Sequence, residues 1–298
     1  MITASAAAAA RRKRRAAAAP GPRRRKRRRV MANAVAIAFV ALWVFPVYWM
    51  INTAFKPASE LDTAKPLFLP SHPTFSNFVS AVTQTSFLEN LRNSAIVVAA
   101  AVIVALALSL FASAALARYR FRGRRAIMIL ILAVQMLPAT ALLIPQFLIF
   151  NKLNLLGTYL GLILAYVALV LPLSIWILRG FFVLVPVEIE EAARIDGAGT
   201  WMILWKVLFP LVVPGVVAAS IFSFVSAWND YILAYTFMKS QSHYTLPIWL
   251  VSFSSPLTGT NYGGQMAASV LFTLPVVIFF MVIRRNLVTG LSAGAVKG

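Results

Sequence analysis

Half of the acidic side chains in this sequence stand close together. Of eight Asp and Glu residues, Glu188, Glu190, Glu191 and Asp196 all fall within VPVEIEEAARIDGAGTWMILWKVLFP, residues 185–210. Clustered carboxylates can hold a metal, act as an acid–base pair, or present a negative face to a basic partner. Metal and thiolate chemistry find little support. Cysteine is absent, and the two histidines, His72 and His243, are far away in sequence. Without cysteine there are no disulfides and no Cys-based metal sites, and no H-E-x-x-H spacing occurs. A nucleophile is suggested by Gly290-Leu291-Ser292-Ala293-Gly294, which matches G-x-S-x-G. That elbow needs a strand–turn–helix context, and here it follows a long apolar run. One acid, Asp230, lies inside an apolar run beside Asn229. An ionisable group there marks either a polar path or a bond between helices. Gln135 and Gln146 carry the same two readings. Trp176 and Trp228 can stack on a planar ligand or fill a core.

The elements that must position these residues are set by composition. The chain has 298 residues, 60% hydrophobic and only 12% charged, with a net charge of +20. Soluble domains carry about 25% charged residues, so this chain cannot clothe a water-facing surface in the usual way. Apolar runs near 31–51, 89–117, 126–150, 158–181, 211–238 and 264–283 reach the length that spans a bilayer as helix. The expected fold class is an all-α membrane protein of six transmembrane helices with both termini cytoplasmic. Lys and Arg support the count. With the N-terminus inside, 23 of the 28 basic residues fall on the cytoplasmic side, as the positive-inside rule asks. Prolines interrupt most spans, which transporters exploit at their substrate path and membrane helices also tolerate for packing reasons.

Residues 1–30 hold RRKRR and RRRKRRR among alanines. Such blocks repel themselves and are expected to be disordered. Because a long apolar run follows directly, the tail is expected to meet anionic lipid headgroups and no nucleic acid. The remaining organisation is 31–88, a first span and an irregular outer loop; 89–285, the main transmembrane region; and 286–298, a cytoplasmic tail. The outer segment 239–263 is either a docking surface or a plain connection.

The acidic stretch reads as a helix–turn–helix bracket on the cytoplasmic side. Pro186 suits a helix start, Glu188 to Glu191 complement the dipole, and Gly197 and Gly199 end the helix. Thr200 is placed to cap a second helix, buried through Trp201, Leu204, Trp205 and Leu208, which Pro210 closes. Acids do little for topology, so the first helix is expected to offer a docking surface for a partner.

Here the residues resemble a known family. Glu191-Ala192-Ala193, then Gly197, then Val207-Leu208-Phe209-Pro210 resembles the EAA loop of permeases of binding-protein-dependent ABC importers. NTAFKPASEL (52–61), LARYRFRGRR (116–125), SAWNDYILA (226–234) and GLSAGAVKG (290–298) resemble the maltose-permease-like, carbohydrate branch. The resemblance implies the type I ABC importer permease fold in a bacterial cytoplasmic membrane. It implies a sugar, an oligosaccharide or similar carbohydrate, as the solute. It implies a second permease subunit, as a heterodimer, two ATPase subunits and an extracytoplasmic sugar-binding protein. The chain would then be no enzyme, with no cofactor of its own, ATP and Mg being bound by the ATPase. Glu191, Ala192, Ala193, Asp196 and Gly197 would couple to that ATPase. Asn229, Asp230 and Gln135 are the candidate solute pathway. A permease for amino acids, metals or phosphate, and an ion-driven secondary transporter, are the alternatives. The latter would want more buried ionisable groups than Asp230 alone.

Overall fold

The computed structural model describes residues 22–61, 63, 66–83, 85–255 and 259–294. The first basic block (11–15) and the last four residues of the C-terminal tail lie outside the described residues. The chain divides into two compact units, 1–52 and 53–298. Helix α1 (Pro22–Ala54) runs through the end of the first. Its helix begins at Pro22 rather than near 31, so the second basic block continues the first span helically.

In the larger unit, α2 (Ala58–Leu61) and α3 (Ser76–Thr83) precede the long α4 (Phe87–Arg118). The segment expected to be irregular is instead pinned. The Glu60 carboxylate accepts from the backbone N–H groups of Ser71 (3.1 Å) and His72 (3.2 Å). The Asn77 amide donates to the carbonyls of Ala54 (3.0 Å) and Lys56 (2.8 Å).

Helix α4 packs on α7 (Tyr159–Leu184) to form the centre of this unit. The reason is a stripe of buried residues every four positions in each. In α4 these are Asn93, Val97, Ala101, Ala105, Ser109 and Ser113; in α7 they are Leu162, Tyr166, Val170, Ser174, Leu178 and Phe182. Small residues on the α4 stripe let the two backbones approach, which is the main source of helix association where lipid removes the hydrophobic drive. A hydroxyl contact of 2.9 Å between Ser174 and Ser223 ties α7 to the next long helix.

The third span is not one helix. Helices α5 (Arg124–Met136) and α6 (Ala139–Lys152) meet at an angle of 103°. Leu137 precedes Pro138 and is extended, with ψ 134°. A residue before proline is steered out of the helical region, so the break is local and sequence-encoded.

The bracket follows: α8 (Val187–Ile195), then α9 (Thr200–Trp228). Two expectations change here. The second bracket helix and the fifth span are one element, and Pro210 does not close anything. A π-helical turn at Ile203–Leu208 lets the helix pass this proline: the Phe209 N–H reaches back five residues to the Leu204 carbonyl. Widening the turn relieves the clash a proline ring makes with the carbonyl four residues earlier. The expected burial of this helix holds for one side only. Ile203 and Leu208 are buried, whereas Trp201 and Trp205 are 65% and 38% exposed. Thr200 makes no capping bond, and Gly199 occupies the cap position.

The fifth span also ends early. After Trp228 the chain breaks, and α10 (Ile232–Phe237) follows. A 3-10 turn (Gln241–His243), α11 (Leu246–Val251), a two-residue strand pair (β1, Ser254–Ser255; β2, Gly259–Thr260) and α12 (Tyr262–Gly294) complete the described chain. The Asn93 amide holds the outer segment by donating to the carbonyls of Ser242 (2.8 Å) and Tyr244 (2.9 Å). Among the described residues five helices are long and apolar enough to cross a membrane, and the bent α5–α6 pair makes up to six.

Candidate functional site

Helix α8 is set at both ends by local chemistry. Val185 is extended before Pro186, and Pro186 takes the N-cap position. Glu188 and Glu190 lie in the first turn and Arg194 in the last, matching the helix dipole at both ends. At the C-terminus Gly197 has φ +83°. The Ala198 N–H bonds to the Ala193 carbonyl (2.9 Å) and the Gly197 N–H to the Arg194 carbonyl (3.0 Å). This is a Schellman ending, and it needs a residue that adopts the left-handed region without cost. Asp196 is the C-cap, its N–H bonded to the Ala192 carbonyl at 3.0 Å.

The acids then divide by helical phase. Glu190 is buried and ion-paired with Arg118, the last residue of α4. Arg118 also donates through Nη2 to the carbonyl of Val185 at 3.0 Å. One guanidinium therefore fastens both the lead-in and the first turn of α8. Arg179 of α7 braces the same corner, with Nε 3.4 Å from the Leu116 carbonyl. Glu190 is thus not part of a solvated face, as dipole matching alone suggests. Successive helical residues are rotated by about 100°, so Glu191 points elsewhere. Glu188, Glu191, Ala192 and Ile195 are all exposed, Ile195 by 87%. Ala193 is half-buried, Asp196 and Gly197 exposed. The five predicted coupling residues thus form one exposed helix end, apart from the partial burial of Ala193.

Beneath this helix lies a cavity of about 880 Å³ between the end of α4, the loop to α5, and α8–α9. Glu190 and five arginines line it.

The predicted pathway residues separate. Gln135 and Asp230 line one small cavity of about 120 Å³ at the α5–α6 break, together with Gln146, Thr140 and Pro172. Asn229 does not line it; its amide turns back to the Val225 carbonyl at 2.8 Å. Asp230 occupies the break between α9 and α10. Its Oδ1 accepts from the N–H groups of Leu233 (3.0 Å) and Ala234 (3.2 Å), and so supplies the cap of α10. Trp228 is core, 3% exposed, stacked on Phe224 at 5.4 Å with its Nε1 3.4 Å from the Phe272 carbonyl. Trp176 is 38% exposed. Ser292 lies on the helical backbone of α12, without the strand that a nucleophile elbow needs.

Residues 105–292, which contain α8, α9 and both cavities, match the family described as binding-protein-dependent transport system inner membrane component. The chain belongs to that family. Relatives agree with this along nearly the whole permease. It is 40% identical over 269 residues to the diacetylchitobiose uptake system permease protein DasC of Streptomyces coelicolor, covering 90% of this chain and 97% of that one. It is 34% identical to the trehalose transport system permease protein SugB of Mycobacterium tuberculosis, covering 85% and 92%. It is 36% identical to the sulfoquinovosyl glycerol transport system permease protein SmoH of Agrobacterium fabrum, covering 85% and 89%. In fold, it superposes on a chain of a bacterial ABC transporter involved in import of the acidic polysaccharide alginate. That match has a TM-score of 0.77 at 24% identity and covers 89% of this chain and 99% of that chain. The permease therefore has the type I ABC importer fold and is a multi-pass protein of the cytoplasmic membrane. It is a transport subunit.

Proposed function

We propose that this permease forms part of the path by which a carbohydrate, an oligosaccharide or similar sugar, enters the cell, driven by separate ATPase subunits. The observation that carries the reading is the division of the α8 acids. Glu190 is spent on an internal anchor to Arg118, which leaves Glu191, Ala192 and Ile195 exposed on a rigidly ended helix. An anchored helix transmits a push; a loose loop would absorb it. Glu191 is assigned the charge contact with a basic residue of the ATPase, Ala192 and Ala193 the close approach, and Gly197 the turn. Asp196 closes the helix at its partner-facing end.

Energy comes from outside the chain. The sequence holds no G-x-x-x-x-G-K-[ST] phosphate loop, so ATP and Mg are assigned to two ATPase subunits. A second permease subunit completes the path, and an extracytoplasmic binding protein delivers the sugar. The sugar assignment is supported by relatives whose names specify diacetylchitobiose, trehalose and sulfoquinovosyl glycerol.

Gln135 and Asp230 are assigned to the solute path. Their cavity of about 120 Å³ has room for about four waters at roughly 30 Å³ each. Ligand pockets run to about 300–1,000 Å³, so passage requires the α5–α6 break to open. Uptake into vesicles tests the reading. Transport should need internal ATP and the binding protein and should survive an ionophore. Collapse with an ionophore alone, ATP being present, would assign an ion-driven mechanism instead. Calorimetry of the cognate binding protein with a sugar panel, and with amino acids, metals and phosphate, tests the solute class.

A further inference from the structure

The cavity under α8 is not explained by coupling or by the solute path. Five guanidiniums line it, those of Arg118, Arg120, Arg124, Arg179 and Arg194, against the single carboxylate of Glu190. Three are already engaged. Arg118 holds Glu190 and the Val185 carbonyl, Arg179 the Leu116 carbonyl, and Arg124 the Tyr119 carbonyl at 3.4 Å. The side chains of Arg120 and Arg194 are exposed, and their guanidiniums make no hydrogen bond or ion pair among the described residues. Charge of one sign around a concave site attracts the other sign.

Tyr119 and Thr200 add hydroxyls, and much of the remaining wall is apolar and belongs to the spans. Phe111 and Ala114 lie one to two turns inside α4, and Leu204 and Leu208 belong to the π turn of α9. At the rim the rings of Phe111 and Trp201 stack at 5.9 Å with an interplanar angle of 5°, and Trp201 is 65% exposed. A tryptophan so placed suits the level of lipid headgroups. The site therefore pairs a guanidinium rim with an apolar floor continuous with the membrane helices. A soluble acidic peptide would leave that floor unused; an amphiphile would use both halves. The volume of about 880 Å³ falls in the range of ligand pockets, about 300–1,000 Å³.

We propose that this cavity binds the phosphate headgroup of an anionic phospholipid, with Arg120 and Arg194 as its free cationic contacts. Arg124 and Arg179 raise the local potential, while Arg118, neutralised by Glu190, braces the corner. Bound lipid would then touch both α8, through Arg194, and the loop between α4 and α5, through Arg120. The proposal does not depend on the import reading or on ATPase docking.

The test uses the full-length chain, delipidated in mild detergent, and exposed to phosphatidylglycerol or phosphatidylcholine. Native mass spectrometry counts the lipid retained. Retention of phosphatidylglycerol over phosphatidylcholine is expected. R120Q/R194Q should weaken it about thirty-fold, and each single variant about five-fold, the worth of one basic residue at an anionic surface. R122Q/R125Q removes the same charge from outside the cavity and should leave retention nearly unchanged. Excess inorganic phosphate should not displace the lipid. Equal retention of the two lipids, or equal loss in the two double variants, would overturn the proposal. Displacement by inorganic phosphate alone would make this a free-anion site and also overturn it. Protection of Arg194 by ATPase subunits, with lipid retention unaffected by R120Q/R194Q, would assign the cavity to a protein contact. Both double variants are checked for unchanged thermal unfolding; if R120Q/R194Q does not fold, the single variants decide.

Discussion

The guanidinium of Arg118, at the end of α4, is ion-paired with the carboxylate of Glu190, in the first turn of α8, and the two side chains are 11% and 6% exposed. Both atoms of this contact are shut off from water, and Arg118 reaches on to the Val185 carbonyl. Removing one partner of a buried pair leaves an uncompensated charge and typically costs about 3–5 kcal/mol. E190Q is therefore expected to lower the thermal midpoint of the permease clearly, and R118Q to do so further, because it also frees the Val185 carbonyl. R118Q/E190Q should be less destabilised than the sum of the singles. Thermal unfolding of the four proteins closes the cycle, and strict additivity would show that the pair is not a coupled contact.

Gly197 has φ +83°, while Gly199 has φ −70°. Neither would bring an added Cβ against a neighbour, so backbone conformation alone separates them. G197A should cost about 1–2 kcal/mol for placing a side chain in the left-handed region. G199A should be close to neutral. The same unfolding assay reads both, and equal effects would refute the Schellman assignment as the source of α8's ending.

Gly215 of α9 marks a close approach. A Cβ there would stand 2.5–2.8 Å from the ring and Cβ of Phe181. G215A is expected to cost about 1–3 kcal/mol as overpacking, and F181A should relieve only the ring part of it in the double variant, since the Cβ contact at 2.8 Å remains. A neutral G215A would mean that α7 and α9 are less tightly packed there than the geometry says.

Asp230 separates structure from transport. D230N keeps an oxygen to accept from Leu233 and Ala234, whereas D230A removes the cap. Losing a cap costs about 0.5–2 kcal/mol, so D230A should unfold earlier than D230N. If Asp230 also meets the solute, D230N should raise the KM for uptake at an unchanged thermal midpoint. Wild-type uptake by D230N would confine the residue to capping.

The sequence showed much of this architecture because membrane spans are written in hydropathy and basic residues in topology. It also placed the start and the glycine stop of α8, since proline and a left-handed glycine act locally. What it obscured depended on neighbours. Pro138 was visible, but whether a proline kinks a helix or breaks it by 103° depends on what takes up the freed backbone groups. The passage of α9 through Pro210 rests on a π turn that no propensity encodes. Trp201 and Trp205 are at helical spacing, which identifies a face without saying whether protein or lipid covers it. The choice between Glu190 and Glu191 was legible only in part. A period near 3.6 places Val187, Glu190 and Arg194 on one face of α8, and all three line the arginine cavity. The distant Arg118 that makes this face internal is 72 residues earlier in the chain, and only the fold brings it there.

Glu191 carries the partner contact in this account. E191R should leave the permease inserted and stable, since the side chain is exposed. It should abolish co-purification of the ATPase subunits. A buried interfacial charge is worth about 2–5 kcal/mol, enough to lower retention by well over ten-fold. E188Q should have little effect on either.

The most direct measurement uses the absence of native cysteine. Single cysteines are placed at Glu191 and Ile195 on the outer face of α8, and at Lys239 as a control remote from it. Maleimide labelling is then timed with and without the ATPase subunits. The account predicts rapid labelling at all three positions in the isolated permease, and strong protection of positions 191 and 195 alone when the ATPase is bound. Equal labelling of Glu191→Cys and Ile195→Cys in the presence and absence of bound ATPase would contradict the claim that this helix face is where the energy of transport enters.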